Sequence, residues 1–182
     1  MKMSERSNRS QEFQKRWSEG RSSGKFIPQR SEFDFLAFSE FIPQLVMAEV
    51  NLEDKTMPIK FAGTAIRDFV GFELTNMDFT EFDSNPDPAQ GWLHRRAYHD
   101  CPCGRFELLK FKFERNKTFA CQLTILPVVG PNEERQLAVL VEPDEVEKSF
   151  GRRAPKMSSE TLTFGSYIDI GAGLPQETTR AM

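Results

Sequence analysis

The side chains in this chain that group as metal ligands or redox thiols do are His94, His99, Cys101 and Cys103, spaced His-x4-His-x-Cys-x-Cys. Imidazole and thiolate are the donors zinc prefers, and a helix end running into a turn can present such a set. Two features oppose a metal site. Cys-x-Cys is a poorer spacing for a structural zinc than Cys-x2-Cys, and Pro102 stiffens the chain between the thiols. The plainer reading is a helix C-terminus with His in its last turns, followed by a Cys-Pro-Cys-Gly turn into a strand at Arg105. Haem ligation through a lone His94 or His99 meets the same objection, since a partly exposed helix His explains either residue. The expectation is no metal.

Other catalytic constellations are missing from the sequence. There is no Gly-x-Ser-x-Gly, and the two His residues sit in one segment without an evident partner. No glycine cluster is spaced to cradle a phosphate; the glycines at 63, 71, 104, 130, 151 and 165 read as turns and caps. Asp83 and Asp87 lie in a Pro-broken loop and read as solvated turn residues. The chain is therefore expected not to be an enzyme.

What remains is apolar chemistry. Among 182 residues there are 17 Phe against 2 Tyr and 2 Trp. Phe has no polar handle, so most of it must fill a core or line an apolar cavity. An apolar fraction of 38% is enough for one core, and the chain length suits one domain with short extensions. Three cysteines, an odd and sparse set without a secretory leader, read as reduced thiols in a cytoplasm. No run approaches the ~18 apolar residues that span a bilayer. The net charge of -3 gives no general attraction to nucleic acid. Its distribution is uneven: residues 1–30 hold eight basic and three acidic residues, a balance of +5, leaving 16 basic against 24 acidic and -8 for the rest.

These residues must be positioned by regular elements. Ser10 caps a short helix over 11–19 that Gly20 ends, with Phe13 and Trp17 on one face as an anchor for the body or for a partner, a second copy included. Residues 1–25 form this basic arm, 26–143 the domain and 144–182 a tail in which only 164–170 is orderable. A short helix is expected over 34–42, ended by Pro43. Strands over 45–50 and 59–62 make a hairpin, followed by a helix over 65–70 capped by Thr64 and closed by Gly71. Pro88 opens a longer helix to Asp100. From Leu109 the chain alternates through three strands ending near Val141, a meander with one apolar face that the helices of 64–100 must cover. The fold class is α+β: a five-stranded antiparallel sheet with short helices packed on one face.

That order resembles a PAS domain, and more specifically the bacterial, alphaproteobacterial-type family of single-domain PAS-like proteins. The resemblance is carried by Trp17 with its following linker, Ile27-Pro28-Gln29-Arg30-Ser31-Glu32-Phe33-Asp34, Phe41-Ile42-Pro43, Phe61-Ala62-Gly63-Thr64, Gly71-Phe72-Glu73-Leu74-Thr75, Leu126-Pro127 and Ile168-Asp169-Ile170-Gly171-Ala172-Gly173. Asn76 stands where a Gly often follows in that family. The resemblance spans about residues 15–173 and implies a cytoplasmic sensory or signalling module without catalytic output, acting through a homodimer or a protein partner. It carries over no ligand-contacting residues and names no cofactor. From the residues themselves, Phe61, Phe69, Trp92, Tyr98, Phe111 and Leu123 are expected to line a small apolar ligand site between sheet and helices. Phe13 and Trp17 are the expected partner contact. A small enzyme on a similar fold and a ligand-free adaptor are the rivals.

Overall fold

The computed structural model describes residues 5–34, 36–82, 88–113, 118–143 and 157–175. Helix α1 (Asn8–Glu19) starts earlier than expected because Ser7, not Ser10, caps it: the Ser7 hydroxyl accepts the Ser10 amide at 2.9 Å. Ser10 is thereby freed to point its own hydroxyl into the sheet. Gly20 follows the last turn, as the sequence indicates.

Among the described residues six antiparallel strands follow: β1 (Leu45–Glu49), β2 (Ile59–Ala62), β3 (Gly104–Phe113), β4 (Thr118–Val129), β5 (Arg135–Pro143) and β6 (Met157–Ile168). Their order across the sheet is β2-β1-β5-β4-β3-β6. The hairpin and meander are where expected, but the sheet has one strand more than five. β6 pairs with β3 from Gly104↔Ile168 to Phe113↔Met157. It thus orders part of the tail well before residue 164. The physical reason is the β3 edge, whose unpaired amides and carbonyls a further strand satisfies.

Among the described residues two α-helices and a 3-10 turn (Phe79–Phe82) lie between β2 and β3. Helix α2 (Thr64–Val70) has Gly63 rather than Thr64 at its N-cap, and Gly71 at φ 87° turns the chain out of it. Helix α3 (Pro88–Asp100) begins at the proline as expected. The helix expected over 34–42 does not form. Turns place Phe38 and Phe41 against Phe13, with Phe33 against Phe38, and a single 3-10 turn follows over Ile42–Gln44. Burial of these rings on α1 outweighs the local preference for helix.

The sheet is covered on both faces, where the sequence suggested one. The inner cluster joins α2 residues Ile66, Phe69 and Val70 to Leu109, Leu123 and Val139 of the sheet. The outer cluster joins Phe13 and Trp17 of α1 to Phe106, Leu126, Val128 and Leu140. Both faces are apolar because alternation along β4 and β5 puts Leu126, Val128, Ala138 and Leu140 opposite the inner set. A register shift between Met47 and Ala48 redistributes β2 between them. It leaves Phe61 opposite Met47 on the outer face and Ile59 opposite Ala48 on the inner one. Phe13 and Trp17 are 0% and 1% exposed, and each stabilises the fold by roughly 1.5–3 kcal/mol through burial alone.

Candidate functional site

The inner face is where a helix meets buried polar groups. α3 runs Pro-Ala-Gln-Gly-Trp-Leu-His-Arg, which sets Trp92 against the inner cluster, leaves Leu93 exposed and turns His94 towards the sheet. His94 Nδ1 lies 2.7 Å from the Tyr167 hydroxyl on β6. Tyr167 sits opposite Arg105 of β3, whose guanidinium stacks 5.0 Å from the Tyr167 ring centre. Arg105 is 4% exposed. Its Nε donates to Glu107 Oε1 at 2.5 Å, within one strand and on one face. Gly165, opposite Glu107, makes room for this: a Cβ there would run into Arg105 Nη2. Arg95, next along α3, lies 4.7 Å over the Trp92 ring.

Burial and neighbouring cations set the electrostatics of this cluster. Burial, with Arg105 and Arg95 nearby, pushes the His94 imidazole from 6.5 down to about 4, so the ring is neutral. His94 is paired to a hydroxyl, not to an acid that would raise its basicity. Cys103 is 0% exposed; burial first, then Cys101, pushes its thiol up to about 12. Cys101 makes only a weak contact, 3.8 Å from the Gly173 carbonyl. His99 is exposed beside Asp100 at 3.3 Å. The structure does not bring the four residues of the His/Cys stretch together. Among the described residues no group of three or more His, Cys, Asp or Glu is arranged to hold a metal ion.

Of the six residues expected to line a ligand site, Phe69 and Leu123, each 3% exposed, and half-buried Trp92 meet on the inner face. Phe61 packs with the outer cluster instead, carried there by the β1 register shift. Tyr98 and Phe111 belong to α3 and β3, and their side chains lie outside the described residues. Phe13 and Trp17 are sealed beneath α1, with Trp17 Nε1 donating to the Pro127 carbonyl at 2.8 Å. As folded, neither is presented to a partner. Sequence reasoning missed Arg105, Glu107 and Tyr167. The signal was present in Arg105-Phe106-Glu107-Leu108, an alternation with its polar residues on the face that Leu109 continues.

A separate open cleft of about 510 Å³ lies elsewhere, lined by Glu49, Glu53, Glu133, Glu134, Arg135 and His99 among others. It contains none of the residues expected to line a ligand site. Among the described residues no helix is long and apolar enough to cross a membrane.

A family model described as "PAS domain" matches residues 3–136, well over half of the chain. The chain belongs to the PAS domain family. The matched stretch ends at the start of β5, so the strand that supplies Tyr167 and Gly165 lies beyond it. No curated protein matches this PAS domain. Among solved structures it is similar to a chain described as "Flavin Analogue Sheds Light on Light-Oxygen-Voltage Domain Mechanism", at 18% identity and a TM-score of 0.43, covering 63% of this chain and 85% of that one.

Proposed function

We propose that this PAS domain is a cytoplasmic sensory module that takes a small, largely apolar ligand between α3 and the inner face of the sheet. It passes the event on by contact with a second copy or a signalling partner, with no catalytic step of its own. One observation carries the reading. Half-buried Trp92 packs against the inner cluster while His94, two residues on along α3, meets Tyr167 of β6, so a mostly apolar wall ends in the His94, Tyr167 and Arg105 groups. Ligand sites have this make-up: apolar lining with a few fixed polar groups. Phe69 and Leu123 would meet the apolar body, and the neutral His94 and Tyr167 a polar end. Tyr98 and Phe111, from the same two elements, are assigned to this site as well. Phe13 and Trp17 enter a partner contact only with α1 released from the sheet.

Native mass spectrometry of the full chain as purified tests the ligand. The expected result is a non-covalent small-molecule adduct that Trp92→Ala reduces or abolishes. A spectrum showing only the polypeptide, in material purified without denaturant, would overturn the reading in favour of a ligand-free adaptor.

A further inference from the structure

We propose that the open cleft at the end of the sheet is a second binding site, and that it takes a small basic amino acid. Such a molecule carries two cationic groups, one carboxylate and a short aliphatic stem. The site is separate from the inner face and does not rest on a ligand there.

Two turns and a helix end build this cleft. β1 runs out into the turn 51–56 and β5 emerges from the turn 130–134, and the Val50 amide donating to the Arg135 carbonyl at 2.8 Å ties the two together. Asn51 Oδ1 holds the first turn by accepting the Glu53 and Asp54 amides, each at 3.0 Å. The Gly130 amide closes the second on the Glu134 carbonyl at 2.8 Å. The C-terminal end of α3 brings His99 to the same space. The volume enclosed, about 510 Å³, is that of a small-molecule site. Val50 and Leu52, both half-buried, give it an apolar wall.

The charges around it select the ligand. Glu49, Glu53, Glu133 and Glu134 line the cleft against the single guanidinium of Arg135. Two of the four carboxylates are already engaged: Glu49 pairs with Lys60 at 2.9 Å, and Glu134 accepts the Asn132 amide at 2.8 Å and Gln136 Nε2 at 2.7 Å. Glu133 accepts one long bond, 3.4 Å from Gln29 Nε2. Glu53 and Arg135 enter no ion pair among the described residues. What remains is one carboxylate from each turn and one guanidinium, the complement of two cations and a carboxylate. A second observation agrees. Gln136, 2% exposed, stands directly across from Glu49 and two residues from Glu134, so its amide lies between two carboxylates of the cleft wall. With Nε2 spent on Glu134, its Oε1 is a buried acceptor without a donor among the described residues. Among those residues no three acidic, His or Cys side chains are arranged to hold a metal ion, so the acceptors suit an extended organic cation instead. Its methylene stem would lie along Val50 and Leu52.

The test is an NMR titration of the full chain at low salt with three probes: L-lysine, cadaverine, which lacks the carboxylate, and L-norleucine, which lacks the side-chain ammonium. L-Lysine is expected to shift the amides of Glu53 and of Glu133 to Arg135 saturably. Each of the other two is expected to bind about fivefold more weakly, the worth of one exposed charge pair. Arg135→Gln is expected to weaken L-lysine by a similar factor and leave cadaverine unchanged, whereas Glu53→Gln weakens both. Trp92→Ala, on the inner face, is expected to leave all three probes unaffected, which separates this site from the one proposed there. The proposal is overturned by the absence of a saturable shift with L-lysine, or by shifts confined to α3 and β6. It is overturned equally by norleucine binding as tightly as lysine, or by Arg135→Gln weakening cadaverine as much as lysine. The three probes on the unsubstituted chain decide it even if a variant fails to fold.

Discussion

The two faces of this sheet are both buried, but they are closed in different ways. The outer face is sealed by α1 and an aromatic group of Phe13, Phe38 and Phe41 whose ring centres lie 5.3–6.0 Å apart. Two of the polar groups under α1 find partners there, Ser10 Oγ lying 2.5 Å from Thr124 Oγ1 and Trp17 Nε1 reaching the Pro127 carbonyl, whereas the Gln122 and Gln136 side-chain oxygens on that face are buried without one among the described residues. The inner face has a dense apolar centre, yet its α3 end holds a half-buried Trp and a cluster of charged and aromatic groups. A sealed face contributes stability. A face that keeps buried polar groups beside a partly exposed helix contributes less, and retains groups that a ligand can engage.

The strongest way to break this contrast is to truncate the matching residue on each face. Trp17→Ala empties a fully buried site and strands the Pro127 carbonyl, and is expected to cost roughly 3–5 kcal/mol in urea unfolding. Trp92→Ala, from a half-buried position, is expected to cost about 1–2 kcal/mol. Equal losses would mean that α3 is as much a seal as α1.

Next in size is the buried ion pair. Arg105→Met leaves the Glu107 carboxylate without its guanidinium, an expected loss of about 3 kcal/mol. Adding Glu107→Met to that variant is expected to recover much of the loss, because the second change removes the orphaned charge. A double variant no better than the single one would show that Arg105 acts by stacking on Tyr167 rather than by pairing. On the outer face, Ser10→Ala is expected to cost about 1–2 kcal/mol by leaving the Thr124 hydroxyl dry and unpaired. Thr124→Val in the same chain should restore part of it.

How legible each face was follows from where its information lies in the chain. The inner apolar centre was readable because Phe69, Leu123 and Val139 follow local periods of helix and strand. The hairpin, α2 with its Gly71 stop and α3 with its Pro88 start were readable for the same reason. The outer face was not, because Leu126 and Val128 continue a strand whose neighbours Gln122 and Thr124 looked solvent-facing until α1 covered them. Phe61 was misplaced by a single extra residue at Lys60, a register shift that no alternation rule reveals. The polar cluster was hidden for a further reason. Leu108 and Leu109 break the alternation, so β3 read as starting at Leu109, after Arg105 and Glu107. Their partner Tyr167 is 62 residues away from Arg105 along the chain, on a strand that only the pairing itself discloses.

The smallest effect is a difference of sign with pH. On the inner face, folding lowers the His94 pKa from 6.5 to about 4, so below pH 6.5 the unfolded chain binds a proton that the folded chain refuses. The stabilisation is fully present above 6.5 and is lost as pH falls towards about 4. On the outer face, Glu142 behaves oppositely: burial raises its carboxyl above 4.5, against the opposing pull of the Ser7 hydroxyl and of Arg9 and Arg6. Its folded form holds a proton longer than its unfolded form does, so its contribution weakens as pH rises through 4.5 and beyond. Replacing each residue in turn separates the two. His94→Gln should flatten the fall in stability between pH 6.5 and about 4, with His99→Gln on the exposed end of α3 as its control. Glu142→Gln should leave that fall in place and add its benefit at neutral pH, where the native carboxylate is charged and desolvated. Urea midpoints across this range decide it: matching pH profiles for the two variants would mean that the faces do not differ in how they bury charge.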